Sequence, residues 1–420
     1  MNNFKLLILS LVFFCSFSFS IVVINDLTPS QTLEQTKFAL YGQNGYSGYV
    51  NVNTSVGAHM YFIFYESEKR DTNAPVVLWL QMLGENGPQL LDNDGNIHDN
   101  PYSWNKNTAL LYVDNPVGSG FSFVDKSNGY ATTETTVANE LYALLSVFFE
   151  KFEKYTGNDL YIFGESYAGK YIPAIGSKII KEGNKLNLQG VGIGDGITDP
   201  INQIPSYSEY AYATGLIDLN QKKMIEAKQA TAVESIKNGK FATAADQLSD
   251  ITSTIGKLSG LDIYDIVNKT SPSFAVLSDF MNKPAVQKTF KVDIEWSACS
   301  SAPSNGLHAD ITRTIVPNVV TILNSGCKVI LYNGQFDLII NLIGADTWIR
   351  KMEWNYSDEF CKAERSVWKV DNKVAGYVTN YKNLWQAMIR GAGHMVPYYV
   401  PKNSLDMLTR FINNQPFAEQ

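Results

Sequence analysis

A serine, a histidine and an aspartate stand in this sequence where they could form a proton relay. Ser166 lies in Leu160-Tyr-Ile-Phe-Gly-Glu-Ser-Tyr-Ala-Gly169, an apolar strand-like run, a turn of small residues, and then a helix beginning near Lys170. A serine at such a corner is thrust outward on a strained turn, and Gly164 and Ala168 let the two backbones approach. The pattern is G-x-S-x-A-G, with Ala168 where the commoner motif has glycine. A hydroxyl is a poor nucleophile near neutral pH, so it needs an adjacent base and a third group to hold that base. The candidate bases are His59, His98, His308 and His394. Nucleophile, acid and histidine follow one another along the chain in this architecture, which removes the first two. His308 falls in a polar loop of a helical region. His394, in Arg390-Gly-Ala-Gly-His-Met-Val-Pro397, follows a predicted last strand on a glycine-rich turn that lets the imidazole swing over the sheet edge. Lys328-Val-Ile-Leu-Tyr-Asn-Gly-Gln-Phe-Asp337 supplies the acid, with Asp337 just past a strand end; its competitor, Asp346, falls in a helical stretch.

The elements that must carry these residues alternate. Tyr46–Val52 and Met60–Tyr65 read as an antiparallel pair, and Val76–Leu80 and Ala109–Val113 as buried strands. Val137–Phe152 has helical spacing; Leu160–Phe163, Val191–Gly194, Val329–Tyr332 and Trp385–Ile389 read as further strands. Alternation of this kind predicts an α/β fold with a mostly parallel central sheet and helices on both faces. Between Pro200 and about Thr312 strand signals vanish, and Asn220–Ile255 is rich in Lys, Gln, Ala and Glu. That stretch is expected to be a helical cap over the sheet edge where open α/β folds bind ligands. The expected organisation is a signal peptide at 1–20, a core in two parts at 21–199 and 313–420, and the cap at 200–312.

Composition narrows the function classes. Of 420 residues 45% are hydrophobic and 18% charged, enough apolar surface for a large core and too little charge for a disordered chain. The net charge of −7 provides no global basic surface for nucleic acid. Lys5 followed by the apolar run Leu6–Phe19 and the small residues Ser18 and Ser20 reads as a secretory signal peptide cleaved after Ser20. No membrane span is expected after its removal. Asn53, Asn268 and Asn355 head glycosylation acceptor triplets, consistent with a secretory route. Cys15 leaves with the signal, so Cys299, Cys327 and Cys361 allow at most one bridge. No zinc spacing exists and histidines are few, so neither a metal nor another cofactor is expected.

Several motifs together resemble the serine carboxypeptidase family. They are Gly164-Glu-Ser-Tyr-Ala-Gly169, Asp114-Asn-Pro-Val-Gly-Ser-Gly-Phe-Ser122, Gly192-Ile-Gly-Asp-Gly196 and Gly393-His-Met-Val-Pro397. Asn333-Gly-Gln-Phe-Asp337, with Trp368-Lys-Val370 and Ala375-Gly-Tyr377, looks closest to the vitellogenic carboxypeptidase-like branch. The resemblance runs from about Tyr46 to Phe411 and implies an α/β-hydrolase fold with release of single residues from peptide and protein C-termini. It implies Ser166 as nucleophile, Asp337 as orienting acid and His394 as base, with one oxyanion donor from the backbone of Tyr167. Glu85, Glu165 and Gln81 would hold the substrate's terminal carboxylate. An anion cannot be gripped by bare carboxylates, so a glutamic acid there must be protonated; two close carboxyls raise one another's pKa, which predicts an acidic optimum and a secreted or lysosome-like setting.

One departure stands out. In the family the strand Val76–Leu80 runs into a glycine-rich loop that donates the second oxyanion N–H; here Gln81 passes to Met82-Leu-Gly-Glu85, about ten residues short of that type. Losing one such donor typically costs about 10²–10³ in turnover, and Gly84 is the nearest substitute. Three expectations follow: an acid carboxypeptidase, a catalytically impaired lumenal peptide-binding or chaperone-like relative, and an acyltransferase on the same scaffold.

Overall fold

The computed structural model describes residues 33–40, 43–80, 84–267 and 273–418. The signal peptide, Gln81 and Asn268 lie outside the described residues. Strands β1 (Leu33–Leu40), β2 (Gln43–Asn53), β3 (Ala58–Tyr65) and β4 (Val76–Leu80) are followed by a small separate hairpin, β5 (Gln89–Leu91) and β6 (Ile97–Asp99). Then come β7 (Ala109–Val113), β8 (Phe123–Val124), helix α1 (Glu134–Lys151), β9 (Leu160–Glu165), helix α2 (Ala168–Lys181) and β10 (Leu188–Gly194). After the helical stretch come β11 (Lys328–Gly334), β12 (Arg365–Val370), β13 (Lys373–Tyr381) and β14 (Leu384–Ile389).

The large sheet has the order β1-β2-β3-β7-β4-β9-β10-β11-β14-β13-β12. Its centre, from β7 to β14, is parallel throughout, and both flanks are antiparallel. Two-sided burial explains the unbroken apolar runs of the central strands, because successive side chains point to opposite faces. Val76, Leu78 and Leu80 of β4 and Leu160 and Ile162 of β9 face one core, with Leu144 of α1 and Ile175 of α2. Val77, Trp79, Tyr161 and Phe163 face the other, where Met407 and Phe411 of the helix Pro401–Ile412 cover them.

Between Gly194 and Lys328 the described residues form helices and turns and no strand. The two long helices, Leu219–Lys237 and Phe241–Ser259, start from Asp218 and Lys240; at the first, Asp218 and Gln221 form a reciprocal capping box. Ile225, Ile236, Leu248 and Ile255 pack between them, and Ile204, Tyr207 and Leu338 join that cluster to the edge of the sheet.

Several acids are buried in this core. Burial pushes Glu140 up to about 7 and Glu134 up to about 8, and desolvation raises the half-buried Asp114, on a cavity wall, to about 7. A carboxyl whose folded pKa is raised stabilises the fold fully below its unfolded value near 4 and loses that contribution as pH climbs through the folded value, at up to about 1.4 kcal/mol per pH unit per group. The fold is therefore expected to be most stable in acid. Thermal melts should give a Tm at about pH 5 that exceeds the Tm at about pH 8 by roughly 5 °C or more; a Tm that rises toward pH 8 would contradict the assignment of these groups as neutral acids.

Candidate active site

Ser166 stands between β9 and α2 with φ +61°, a left-handed backbone that a non-glycine residue adopts only under constraint. The constraint is visible: its N–H donates to the carbonyls of Gly194 and Asp195 at 3.1 and 3.2 Å, and its carbonyl accepts from Gly169 and Ile197 at 3.0 and 3.1 Å. The small residues of the motif are needed for contact. A Cβ on Gly164 would stand 2.5 Å from the Leu80 carbonyl oxygen and 2.8 Å from the Ala168 methyl. Tyr167 follows at the start of α2, and its hydroxyl donates to the Leu307 carbonyl at 3.2 Å, which ties the helical stretch to the elbow.

Asp337 and His394 meet at the ends of β11 and β14. His394 Nδ1 is 2.7 Å from Asp337 Oδ2, with both side chains buried. Asp337 Oδ1 also accepts from the Ile340 N–H at 3.1 Å, and the His394 N–H donates to the Tyr264 carbonyl at 2.8 Å. The loops after β11 and β14 touch because Gly334 has no side chain: a Cβ there would lie 2.0 Å from the Gly393 carbonyl oxygen. His394 Nε2 is buried with no hydrogen-bond partner among the described residues. Ser166, Tyr167 and His394 line one cavity of about 370 Å³, together with Leu80, Asp114 and Trp296. The imidazole thus has one nitrogen fixed by a carboxylate, and its residue shares a cavity with the serine.

The remaining candidates sort cleanly. Asp346 lies in the helix Leu342–Lys351 and takes Arg350 at 2.9 Å, apart from the Asp337–His394 pair. His308 sits in a turn on the outer wall of the cavity, 3.0 Å from Asp246. His59 pairs with Asp125 and His98 with Asp92. Cys299, Cys327 and Cys361 are all free thiols. Asn53 sits at the end of β2 with its Oδ1 accepting from the Ser55 hydroxyl at 2.7 Å, and Asn355 is exposed. No helix among the described residues is long and apolar enough to cross a membrane.

Glu85 and Glu165 come together, both buried, at 2% and 0% exposure. Burial pushes Glu85 up to about 7, while Glu165 and the nearby His394 pull it down; burial and then the Glu85 charge hold Glu165 well above the carboxylate range. Burial, more than mutual repulsion, is the leading cause, which corrects the sequence-based account. The Tyr332 hydroxyl donates to Glu165, and the two carboxyls bond to each other when one carries a proton. Neither lines the cavity that holds Ser166. Gly84, the suggested substitute oxyanion donor, lines a separate apolar cavity with Tyr65, Tyr112 and Phe280.

The sequence reading missed Asp195. It is fully buried, and its carboxyl lies with Asp337 and His394 in a set whose ligand-type atoms are all within 4.8 Å of one another. The signal available was its place one residue beyond β10, at the sheet edge that carries the other acids.

An elbow serine, a buried aspartate–histidine pair and a parallel central sheet define a serine hydrolase of the α/β type. The chain belongs to the serine carboxypeptidase family, whose model matches residues 35–414. It is 36% identical to the probable serine carboxypeptidase CPVL of Dictyostelium discoideum, over 89% of this chain and 79% of that protein. It is 35% identical to the venom serine carboxypeptidase of Apis mellifera (89% and 85% covered) and to the human probable serine carboxypeptidase CPVL (87% and 83%). Its fold matches the crystal structure of Kex1(Δ)p, a prohormone-processing carboxypeptidase from Saccharomyces cerevisiae, with a TM-score of 0.79 at 23% identity, over 89% and 92% of the two chains. The impaired, chaperone-like alternative gains no support over the catalytic one.

Proposed function

We propose that the protein removes single residues from the C-termini of peptides in an acidic lumen of the secretory pathway, with residues 200–312 forming the cap over the site. The observation that carries this reading is the 2.7 Å Asp337–His394 bond, whose histidine lines the same cavity as the elbow serine. Ser166 attacks the scissile carbonyl while His394 Nε2 takes its proton; Asp337 holds the tautomer and stabilises the imidazolium. The Tyr167 N–H at the start of α2 faces the developing oxyanion. The leaving amine receives the proton from His394, and water then attacks the acyl-enzyme by the same relay in reverse.

The Glu85–Glu165 pair is assigned to the terminal carboxylate of the substrate, with Gln81 as a neutral partner. Because both acids are buried and off the cavity wall, this grip needs them to be uncovered toward the site. A neutral glutamic acid donates a hydrogen bond to the substrate carboxylate; once the pair ionises, that donor is replaced by a repelling charge. KM for a blocked dipeptide is therefore expected to stay flat in acid and to rise, up to about tenfold per pH unit, above about pH 7. The same dipeptide capped as a C-terminal amide should lack this rise. Equal pH dependence of KM for acid and amide would overturn the carboxylate assignment.

A further inference from the structure

Asp195 touches both ends of the relay. Its carbonyl accepts from the Ser166 N–H at 3.2 Å, and its own N–H donates to the Tyr332 carbonyl at 2.8 Å. Its φ of +40° is left-handed, so the turn after β10 is held against the backbone's preference. On the side chain, Oδ1 accepts from the Gly334 N–H at 2.9 Å and from the Asn333 amide at 3.3 Å. Parallel pairing of Gly194 with Tyr332 sets this register and brings the carboxyl against Asp337. Two buried carboxyls in contact cannot both be ionised at low cost, and Asp337 already has its two oxygens committed to the Ile340 N–H and to His394. The groups facing Asp195 are Asp337, Glu165 and Tyr332 along the sheet edge, Tyr210 from the cap helix Tyr207–Ala213, and His394 behind Asp337. Burial first, and then Asp337, hold Asp195 far above the usual carboxylate range.

We propose that Asp195 is a positioning residue that stays a neutral acid and donates a hydrogen bond to Asp337, so that a single negative charge stands behind the catalytic imidazole. The proton resides on Asp195 throughout the cycle and is shared with no substrate atom. When alkali removes it, a second negative charge faces His394 and stabilises the imidazolium formed during attack, which then gives its proton to the leaving amine less readily, and turnover falls. This limb belongs to kcat, whereas the Glu85–Glu165 pair acts on KM; the inference rests on the triad reading above.

The test is the pH profile of kcat at saturating blocked dipeptide for wild type, Asp195→Asn and Asp195→Ala, with Tm measured for each. The asparagine amide donates to Asp337 and cannot lose its proton, so the alkaline limb of Asp195→Asn should move up by about one pH unit or more. Asp195→Ala leaves Asp337 without that donor and should lower kcat about tenfold or more across the range. In wild type alone, the low-field proton resonance of His394 Nδ1–H should shift with pH in step with the kcat limb. An unmoved limb in folded Asp195→Asn, or a wild-type resonance that stays fixed while kcat falls, would overturn the proposal. Absence of wild-type turnover at every pH would instead overturn the triad reading.

Discussion

Replacing Ser166 with alanine is expected to lower kcat/KM for a blocked dipeptide by about 10⁴-fold or more while leaving the fold intact. The side chain lost is small and sits on the cavity, and the elbow is held by backbone bonds from Gly194, Asp195, Gly169 and Ile197 that alanine keeps. What disappears is the atom that forms the acyl-enzyme, and removal of a triad member in enzymes of this type leaves only the contribution of binding and the oxyanion donors. Rates measured on the purified variant, with its Tm close to wild type, check this. A loss below about tenfold in a folded variant would show that the hydrolytic step runs elsewhere.

The second large effect is expected at Asp337. Asp337→Asn keeps the volume and the bond from the Ile340 N–H but turns an obligatory acceptor into a group that can present a donor to His394 Nδ1. The imidazole then favours the tautomer with its proton on Nε2, where it cannot accept from the serine. A fall of about 10⁴ in kcat is expected, with KM little changed because no substrate atom meets Asp337. The loss should lessen at alkaline pH, where a deprotonated serine needs no base. A fall confined to KM would place Asp337 in binding rather than in the relay.

Much of this site was legible because its chemistry rides on local signals. The unbroken runs Val76–Leu80 and Leu160–Phe163 announce strands buried on both faces, and the G-x-S-x-A-G turn needs small residues wherever it occurs. Asp337 and His394 could be chosen because each follows a strand on a turn. Asp195 was less legible, since its contact with Asp337 depends on the register of two strands separated by the whole helical stretch between Gly194 and Lys328. The hairpin β12–β13 was also missed: its strands carry exposed Arg365, Val367 and Lys373, as suits a sheet edge, which blurs the alternation. Its turn, Asp371–Asn372 with both φ positive, was the available clue. The acidity of Glu85 was expected from its neighbour, but the depth of burial that mainly sets it is a tertiary property no spacing reveals.

The central claim, that the chain folds Ser166, His394 and Asp337 into one working relay, is tested most directly by covalent labelling. A serine-directed fluorophosphonate reacted with wild type and with His394→Ala, followed by peptide mass spectrometry, reads the nucleophile and its base together. One adduct on Ser166, formed about 10³-fold or more slowly without the imidazole, is the predicted result. An adduct on another serine, or equal labelling rates in the two proteins, would contradict the account.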